Sequence, residues 1–179
     1  METELVGRAR SGDTAAFDAL VRTRLERVHR MSLAILGNEA DAADATQDAF
    51  IAAWRRLPAL RDPDRFDAWL WRIVSNTCRE RLRGRRRASV REVRVRAEDD
   101  PPGATAEPPS EAVVAADRFD RAFATLSAEQ RVLLVAHHLE ELPVGEIATR
   151  LGVPAGTVKS RLFHARQALD RALAVEDDR

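Results

Sequence analysis

The sequence predicts an all-α protein made of two small helical domains joined by a flexible, acidic, proline-rich linker. The chain has no alternating apolar run of the kind that forms strands. Its apolar residues recur instead at helical spacing, in two separate parts of the chain. Between these parts, residues 97–112 (AEDDPPGATAEPPSEA) contain four prolines and almost nothing to bury. We therefore expect a first domain at 1–90, a linker at 91–111 and a second domain at 112–175.

The first domain is predicted to contain three helices that bury one another. Asp13 is suited to cap the first helix and Gly37 to end it. The second helix should run from about residue 39 to residue 57, and Asp62, which precedes a proline, should open the third. The apolar stripe expected on the first helix is Phe17, Leu20, Val21, Leu25, Val28 and Ile35.

The second domain is predicted to end in a helix-turn-helix. A helix is expected at about 113–125, and Ser127 with Gln130 forms a capping box for the next helix, to about 139. In GEIATRLGVPAGTVKSRLFHAR, Gly152 supplies a left-handed turn and Pro154 begins the last helix. Its buried seam is predicted to be Ile147, Ala148, Leu151, Val153, Val158, Leu162 and Leu169.

The zero net charge of the chain is an average over opposed blocks. Residues 55–96 hold 14 basic and 5 acidic side chains, whereas residues 97–129 hold 2 and 8. A basic block of this density is typical of a surface that meets phosphates. Because 28 of the 29 basic residues are arginine, we do not infer base recognition from arginine alone. A single cysteine and the lack of an apolar leader or spanning segment favour a soluble intracellular protein.

Two basic surfaces are candidates for nucleic-acid binding. The second helix of a helix-turn-helix enters the major groove, and here it would expose Thr157, Lys159, Ser160, Arg161, His164 and Arg166. The alternative is a helical hairpin with a solvated basic face. The end of the third helix carries six arginines, which could neutralise several phosphates or could simply be solvated. They are Arg79, Arg81, Arg83, Arg85, Arg86 and Arg87.

Aromatic residues lie beside the basic block. Trp69 and Trp71 are two positions apart, so we expect that both cannot face the core and that one ring is exposed. An exposed ring beside cations would stack on unpaired bases. The alternative for Phe66 and for either tryptophan is ordinary packing.

We find no constellation that indicates an enzyme, a metal site or a cofactor. Acids near residue 62 are explained by the helix dipole at a helix start. His137 and His138 are adjacent and so point about 100° apart on a helix, unlike an i, i+4 metal pair. Cys78 lies on an apolar stripe and is expected in the core.

Three stretches, taken in order, resemble the extracytoplasmic-function (ECF) sigma factors of bacterial RNA polymerase. DAADATQDAFIAAWRRL is similar to the segment that binds the polymerase clamp helices. The family segment that reads the −10 element resembles FDAWLWRIVSNTCRERLRGRRR. The family segment that reads the −35 element resembles LPVGEIATRLGVPAGTVKSRLFHARQAL. The likeness places sigma region 2 at about 10–88 and region 4 at about 112–174.

The resemblance implies a non-enzymatic initiation factor. It would bind core polymerase, direct it to promoters and promote melting by flipping a non-template base, which costs a few kcal/mol. By motif position, the core-binding residues would be Asp44, Gln47, Asp48, Phe50 and Trp54. The −10 residues would be Asp64, Arg65, Phe66, Trp69, Asn76, Arg79, Arg83 and Arg86. The −35 residues would be Thr157, Lys159, Ser160, Arg161, Phe163, His164 and Arg166.

The implied partners are the clamp helices of core polymerase, duplex promoter DNA, the melted non-template strand and an anti-sigma factor, all met in the bacterial cytoplasm. His164 departs from the family, whose members commonly carry arginine there. Two other classes stay open from the residues alone. A stand-alone repressor or activator would use residues 1–90 to dimerise. A sigma mimic that sequesters a regulator would tolerate charge reversal at Lys159 and Arg161.

Overall fold

The computed structural model describes residues 2–92 and 111–177, so most of the predicted linker lies outside the described residues. In those ranges the chain is helical and contains no strand, which confirms the all-α class. The eight α-helices are α1 Glu2–Arg10, α2 Thr14–Leu36, α3 Glu39–Arg56, α4 Phe66–Glu92, α5 Glu111–Ala124, α6 Ala128–Leu134, α7 Val144–Leu151 and α8 Ala155–Asp177.

The predicted helix ends are confirmed where local chemistry determines them. The Asp13 side chain accepts a hydrogen bond from the Ala16 backbone N–H (3.0 Å) at the start of α2. Gly37 closes that helix with φ 77°, a left-handed conformation that suits glycine. Before α6, Ser127 and Gln130 form the complete capping box. Gly152 has φ 67° in the turn between α7 and α8.

Two local features differ from prediction. Helix α1 was not predicted, because its apolar positions are too few to show a helical period. It packs on α2 through the buried Val6 and Ala9. Leu25 is 48% exposed, against expectation, because it lies about 80° around α2 from Phe17, at the edge of the buried stripe.

The helix predicted over 128–139 is interrupted by a wider turn. Helix α6 ends at Leu134, and residues Val135–Leu139 continue as a π-helical turn. The Glu140 N–H donates to the Val135 carbonyl five residues earlier (3.0 Å). Glu141 then adopts φ 52°, which is uncommon for a residue other than glycine. This turn sets the direction in which the chain leaves α6.

The two helical parts pack directly on each other. Helices α6 and α7 contact α4, and the π-helical turn contacts α2. The buried apolar residues therefore form one continuous core, from Val6 in α1 to Ala165 in α8. In the described residues, no helix is both long enough and apolar enough to cross a membrane.

We expect Asp13→Ala to lower the melting temperature at pH 7 by a few degrees, because α2 loses its cap. The Ala16 N–H and the Arg8 guanidinium hold the pKa of Asp13 below its usual value. A lowered folded-state pKa gives stability that is present above the unfolded pKa, about 3.9, and lost as pH falls through the folded pKa. The difference between wild type and variant should therefore shrink below about pH 4.

Asp13→Asn is the matched control, since asparagine caps helices but does not titrate. It should keep most of the stability and remove this part of the pH dependence. Melting curves from pH 3 to 7 measure both variants. An Asp13→Ala deficit that stays constant down to pH 3 would contradict the assignment.

Candidate nucleic-acid interface

Helix α8 is held by one face and presents the other. Val158, Leu162 and Ala165, at i, i+4 and i+7, are buried against the rest of the second part. The turn before α8 is fixed by a hydrogen bond from the Val153 N–H to the Ala148 carbonyl (3.1 Å). The opposite face exposes Lys159, Ser160, Arg161, Phe163, His164 and Arg166, while Thr157 is half-buried.

The exposed face of α8 has the chemistry of a phosphate- and base-contacting surface. Cations and hydroxyls there can bond phosphate oxygens and base edges. Phe163 is 57% exposed, and its ring meets the His164 ring edge-on, with centroids 5.6 Å apart. Six of the seven residues predicted to read the −35 element thus share one solvent-facing surface.

Helix α4 carries the second basic surface. Asn76 and Arg86 are exposed, and Arg79 is half-buried. The Arg79 Nη1 donates to the Asn76 Oδ1 (2.7 Å), which fixes the asparagine oxygen. Arg83 forms an ion pair with Glu129 of α6. Before α4, Asp64 accepts from the Thr3 hydroxyl (2.7 Å), and both Asp64 and Arg65 are exposed.

The aromatic residues are less accessible than expected. Phe66 is only 2% exposed, so its place among the −10 residues is corrected: the ring packs in the core, 5.8 Å from Trp69. Trp69 is half-buried and Trp71 is 4% exposed. The expectation that one tryptophan must be exposed was wrong, because Arg150 of α7 covers the Trp71 ring (5.5 Å).

Two of the six arginines expected on the phosphate-facing surface are committed to α3 instead. Arg81 pairs with Asp48 (2.5 Å), Asp44 (3.3 Å) and Asp41 (3.8 Å), and hydrogen bonding to Asp48 raises its pKa. Arg85 pairs with Asp41. The sequence carried a signal for these pairs. Asp41, Asp44 and Asp48 form an acidic i, i+3, i+7 stripe on α3, and this stripe faces α4 as well as solvent.

The acidic face of α3 remains accessible around these pairs. Asp44, Gln47 and Asp48 are exposed. Phe50 is buried and Trp54 is half-buried, 4.9 Å from the Phe17 ring. The two aromatic residues predicted to bind polymerase therefore position α3 against α2.

Three buried charged side chains were missed. Arg131 and Arg150 are 7% and 8% exposed, and burial lowers the pKa of Arg131. The Glu140 side chain is 2% exposed and pairs with Arg27 of α2 (2.6 Å). Their position in the sequence could have indicated the burial of the two arginines. Arg131 and Arg150 each lie three residues after a buried apolar residue, on the apolar face of their helix.

The described residues contain no cluster of His, Cys, Asp and Glu able to hold a metal ion. Cys78 is buried as expected, and burial raises the pKa of its thiol to about 11. His137 Nδ1 lies 3.2 Å from the Leu142 carbonyl oxygen, and the two imidazoles meet edge-on.

Comparison with known proteins gives a consistent result. Residues 20–88 match the family described as Sigma-70 region 2, and residues 116–169 match Sigma-70, region 4. The ECF RNA polymerase sigma factor SigM of Mycobacterium tuberculosis is 35% identical, over 96% of this chain and 84% of its own. The ECF sigma-E factor of Escherichia coli is 32% identical, over 93% of this chain and 91% of its own. The chain belongs to the ECF RNA polymerase sigma factors.

Solved structures agree with this assignment of fold. This sigma factor superposes on CnrH, determined in complex with the cytosolic domain of CnrY, with a TM-score of 0.66, 28% identity and 97% coverage of both chains. The sigma factor RpoE of Bartonella quintana, solved with the anti-sigma factor NepR, has a TM-score of 0.64 at 24% identity and shows the fold alone.

As an alternative sigma factor, the protein directs RNA polymerase to promoters, within a family that is non-enzymatic. The stand-alone repressor is not favoured, since it leaves the match over region 2 unexplained. The two helical parts described above carry region 2 and region 4 matches respectively.

Replacing Arg81 by alanine should lower the free energy of unfolding by about 1 kcal/mol at low salt, because α3 and α4 lose a shared ion-pair network. The loss should be smaller in 1 M NaCl, where the pairs are screened. Urea titrations at both salt concentrations measure it. Arg72→Ala, an exposed arginine on the same helix, is the control. Equal losses for the two variants would contradict a role for the network.

Proposed function

We propose that three surfaces of this sigma factor divide the work of initiation. The exposed basic face of α8 reads the −35 element, the α4 surface with the loop before it reads the −10 element, and the acidic face of α3 binds core polymerase. The observation that carries the proposal is the face of α8: a helix-turn-helix buries one side of this helix and leaves Lys159, Arg161 and Arg166 outward.

On α4 and the preceding loop, the −10 residues are Asp64, Arg65, Trp69, Asn76, Arg79, Arg83 and Arg86. Asn76 both donates and accepts, which suits recognition of a flipped base edge. The arginines along the helix suit the phosphates of a displaced strand. Phe66 is excluded by its burial, and its ring packs against that of Trp69.

On α3, the polymerase contacts are Asp44, Gln47 and Asp48, with Phe50 and Trp54 acting through the placement of the helix. Region 2 occupies residues 1–90 and region 4 residues 112–175. The protein carries out no bond chemistry and needs no cofactor, since its binding energy is used to hold melted DNA. It acts in the cytoplasm with polymerase.

A groove between the two parts supports an anti-sigma factor as a further partner. Its volume is about 1440 Å³. Its lining combines apolar side chains with five arginines and three carboxylates, an excess of positive charge that fits an amphipathic helix with acidic residues at its edges. Among the lining residues are Leu36, Leu82, Phe119, Phe123, Arg86 and Arg166.

The decisive experiment is run-off transcription with core polymerase and a pooled library of genomic fragments. Defined transcripts that require the chain would support the proposed function and identify both promoter elements. Core polymerase alone is the control. A folded chain that yields no transcript but shifts duplex DNA by itself would instead support a stand-alone regulator.

Reversing a charge on the recognition face should weaken promoter binding. For Lys159→Glu and Arg161→Glu, we expect about a tenfold lower affinity of the holoenzyme for promoter DNA. The slope of log affinity against log salt should fall by roughly one for each phosphate that the variant no longer neutralises. Filter binding at several salt concentrations measures both quantities.

Arg171→Glu makes the same charge change on α8, beyond the proposed contact surface. It should leave the salt slope nearly unchanged. A sigma mimic would tolerate all three substitutions, so equal promoter affinities would overturn the assignment of α8 as the −35 reader.

A further inference from the structure

Helix α1 lies against the loop that joins α3 to α4, residues 57–65. It contacts both of the short 3-10 turns in this loop. Val6 of the helix is buried, and so are Leu57 and Leu60 of the loop. The α3–α4 loop, which the proposed function assigns to the −10 element, therefore rests on a helix that is distant from it in sequence.

Arg24 of α2 ties α1 to the beginning of α4. Its guanidinium pairs with Glu2 of α1 and with Asp67 of α4, where Nε lies 2.6 Å from Oδ1. The guanidinium carbon also lies 5.0 Å from the centre of the Phe66 ring. Because the Arg24 side chain is only 12% exposed, water screens these pairs less than it screens pairs on the open surface. The first turns of α1 and α4 are thus held by one cation.

Inside the α3–α4 loop, Asp62 orders the backbone. Its carboxylate accepts a hydrogen bond from the Asp64 N–H (3.1 Å), and it lies 3.5 Å from the Arg65 Nε. The Arg65 N–H donates to the Asp62 carbonyl (3.1 Å). None of these contacts involves the carboxylate of Asp64, which is exposed and would by itself rotate among several staggered rotamers.

Thr3 supplies the contact that the loop does not. Its hydroxyl, in the first turn of α1, donates to the Asp64 Oδ1 (2.7 Å). Within residues 2–92 and 111–177 this is the one hydrogen bond that the Asp64 carboxylate accepts, and its Oδ2 has no partner there. One oxygen is therefore held by the protein, and the other is left to accept a hydrogen bond from a ligand.

We propose that Thr3 is a positioning residue for promoter recognition: it holds the Asp64 carboxylate in one rotamer, so that the second oxygen selects a base of the −10 element. This selection rests on the proposed function of the α3–α4 loop. An ionised carboxylate accepts hydrogen bonds and donates none. It favours adenine and cytosine, which present an amino donor where guanine and thymine present a carbonyl acceptor.

The test compares three substitutions in the full chain. Thr3→Val removes the hydroxyl and keeps the branched shape, whereas Thr3→Ser keeps a hydroxyl and should keep the hydrogen bond. Thr14→Val is the matched control, since it makes the same change at an exposed position in the first turn of α2. All three variants should melt within about 3 °C of wild type, because an exposed hydrogen bond contributes little to stability.

Nuclear magnetic resonance of the free chain tests the hold of Thr3 on Asp64 without polymerase or DNA. The three-bond couplings of the Asp64 side chain report whether χ1 keeps one value. We expect a single rotamer in wild type, Thr3→Ser and Thr14→Val, and rotamer averaging in Thr3→Val. Wild-type couplings as fully averaged as those of Thr3→Val would overturn the proposal.

Base selection is measured with the holoenzyme and a library built on a promoter identified by run-off transcription, with the −10 element randomised. Heparin-resistant complexes are recovered and sequenced. Asp64→Ala identifies the position that Asp64 reads, as the one where this variant flattens the base preference. At that position, Thr3→Val should lower the ratio of adenine and cytosine to guanine and thymine by about threefold. Thr3→Ser and Thr14→Val should keep the wild-type ratio.

The double variant Thr3→Val/Asp64→Ala should be no flatter than Asp64→Ala alone, because Thr3 acts through that carboxylate. Further flattening would overturn the proposal, as would an unchanged ratio in Thr3→Val or a wild-type preference for guanine or thymine. If Asp64→Ala changed no position, the proposed role of Asp64 in −10 reading would fail together with base selection. The couplings would still report whether Thr3 holds the carboxylate.

Discussion

A buried guanidinium needs acceptors for its N–H groups, and the arrangement of this molecule depends on the two acceptors that Arg131 finds. The side chain is 7% exposed, where an unpaired cation would be costly. Its partners are the carbonyls of Ile35 and Ala124, which are left over at the ends of α2 and α5. The Phe123 ring lies 5.7 Å from the guanidinium carbon. Without Arg131 each of these carbonyls lacks this donor, and without both helix ends Arg131 lacks its acceptors.

Ion pairs also explain how a chain of zero net charge contains so basic a block. Arg81 and Arg85 of α4 are held by acids of α3, and Arg83 by Glu129 of α6. The acidic and basic blocks are therefore opposed in space as well as in sequence. The arginines left outward, such as Arg86, Arg161 and Arg166, are fewer than composition indicates. They define where phosphate can approach.

Features that depend on neighbours in the sequence were predictable, and features that depend on distant neighbours were not. The Asp13 cap, the Ser127 capping box and the Gly152 turn follow from a few adjacent residues. The exposed face of α8 follows from its own period. Burial of Trp71, by contrast, requires Arg150 from a helix almost eighty residues away, and Arg81 finds its partners on α3. Periodicity within one helix carries no information on which other helix will cover it.

The groove lined by both parts has a thermodynamic consequence. Its walls come from α2 and α4 on one side and from α5, α6 and α8 on the other, so a complete groove exists only when the parts are together. An occupant that binds there and a polymerase that binds the separated parts would be linked as antagonists without sharing a single contact residue. By reciprocity, each would weaken the affinity of the other by the same factor. Release of such an occupant would then act as a population shift, in addition to uncovering Arg86 and Arg166 in the lining.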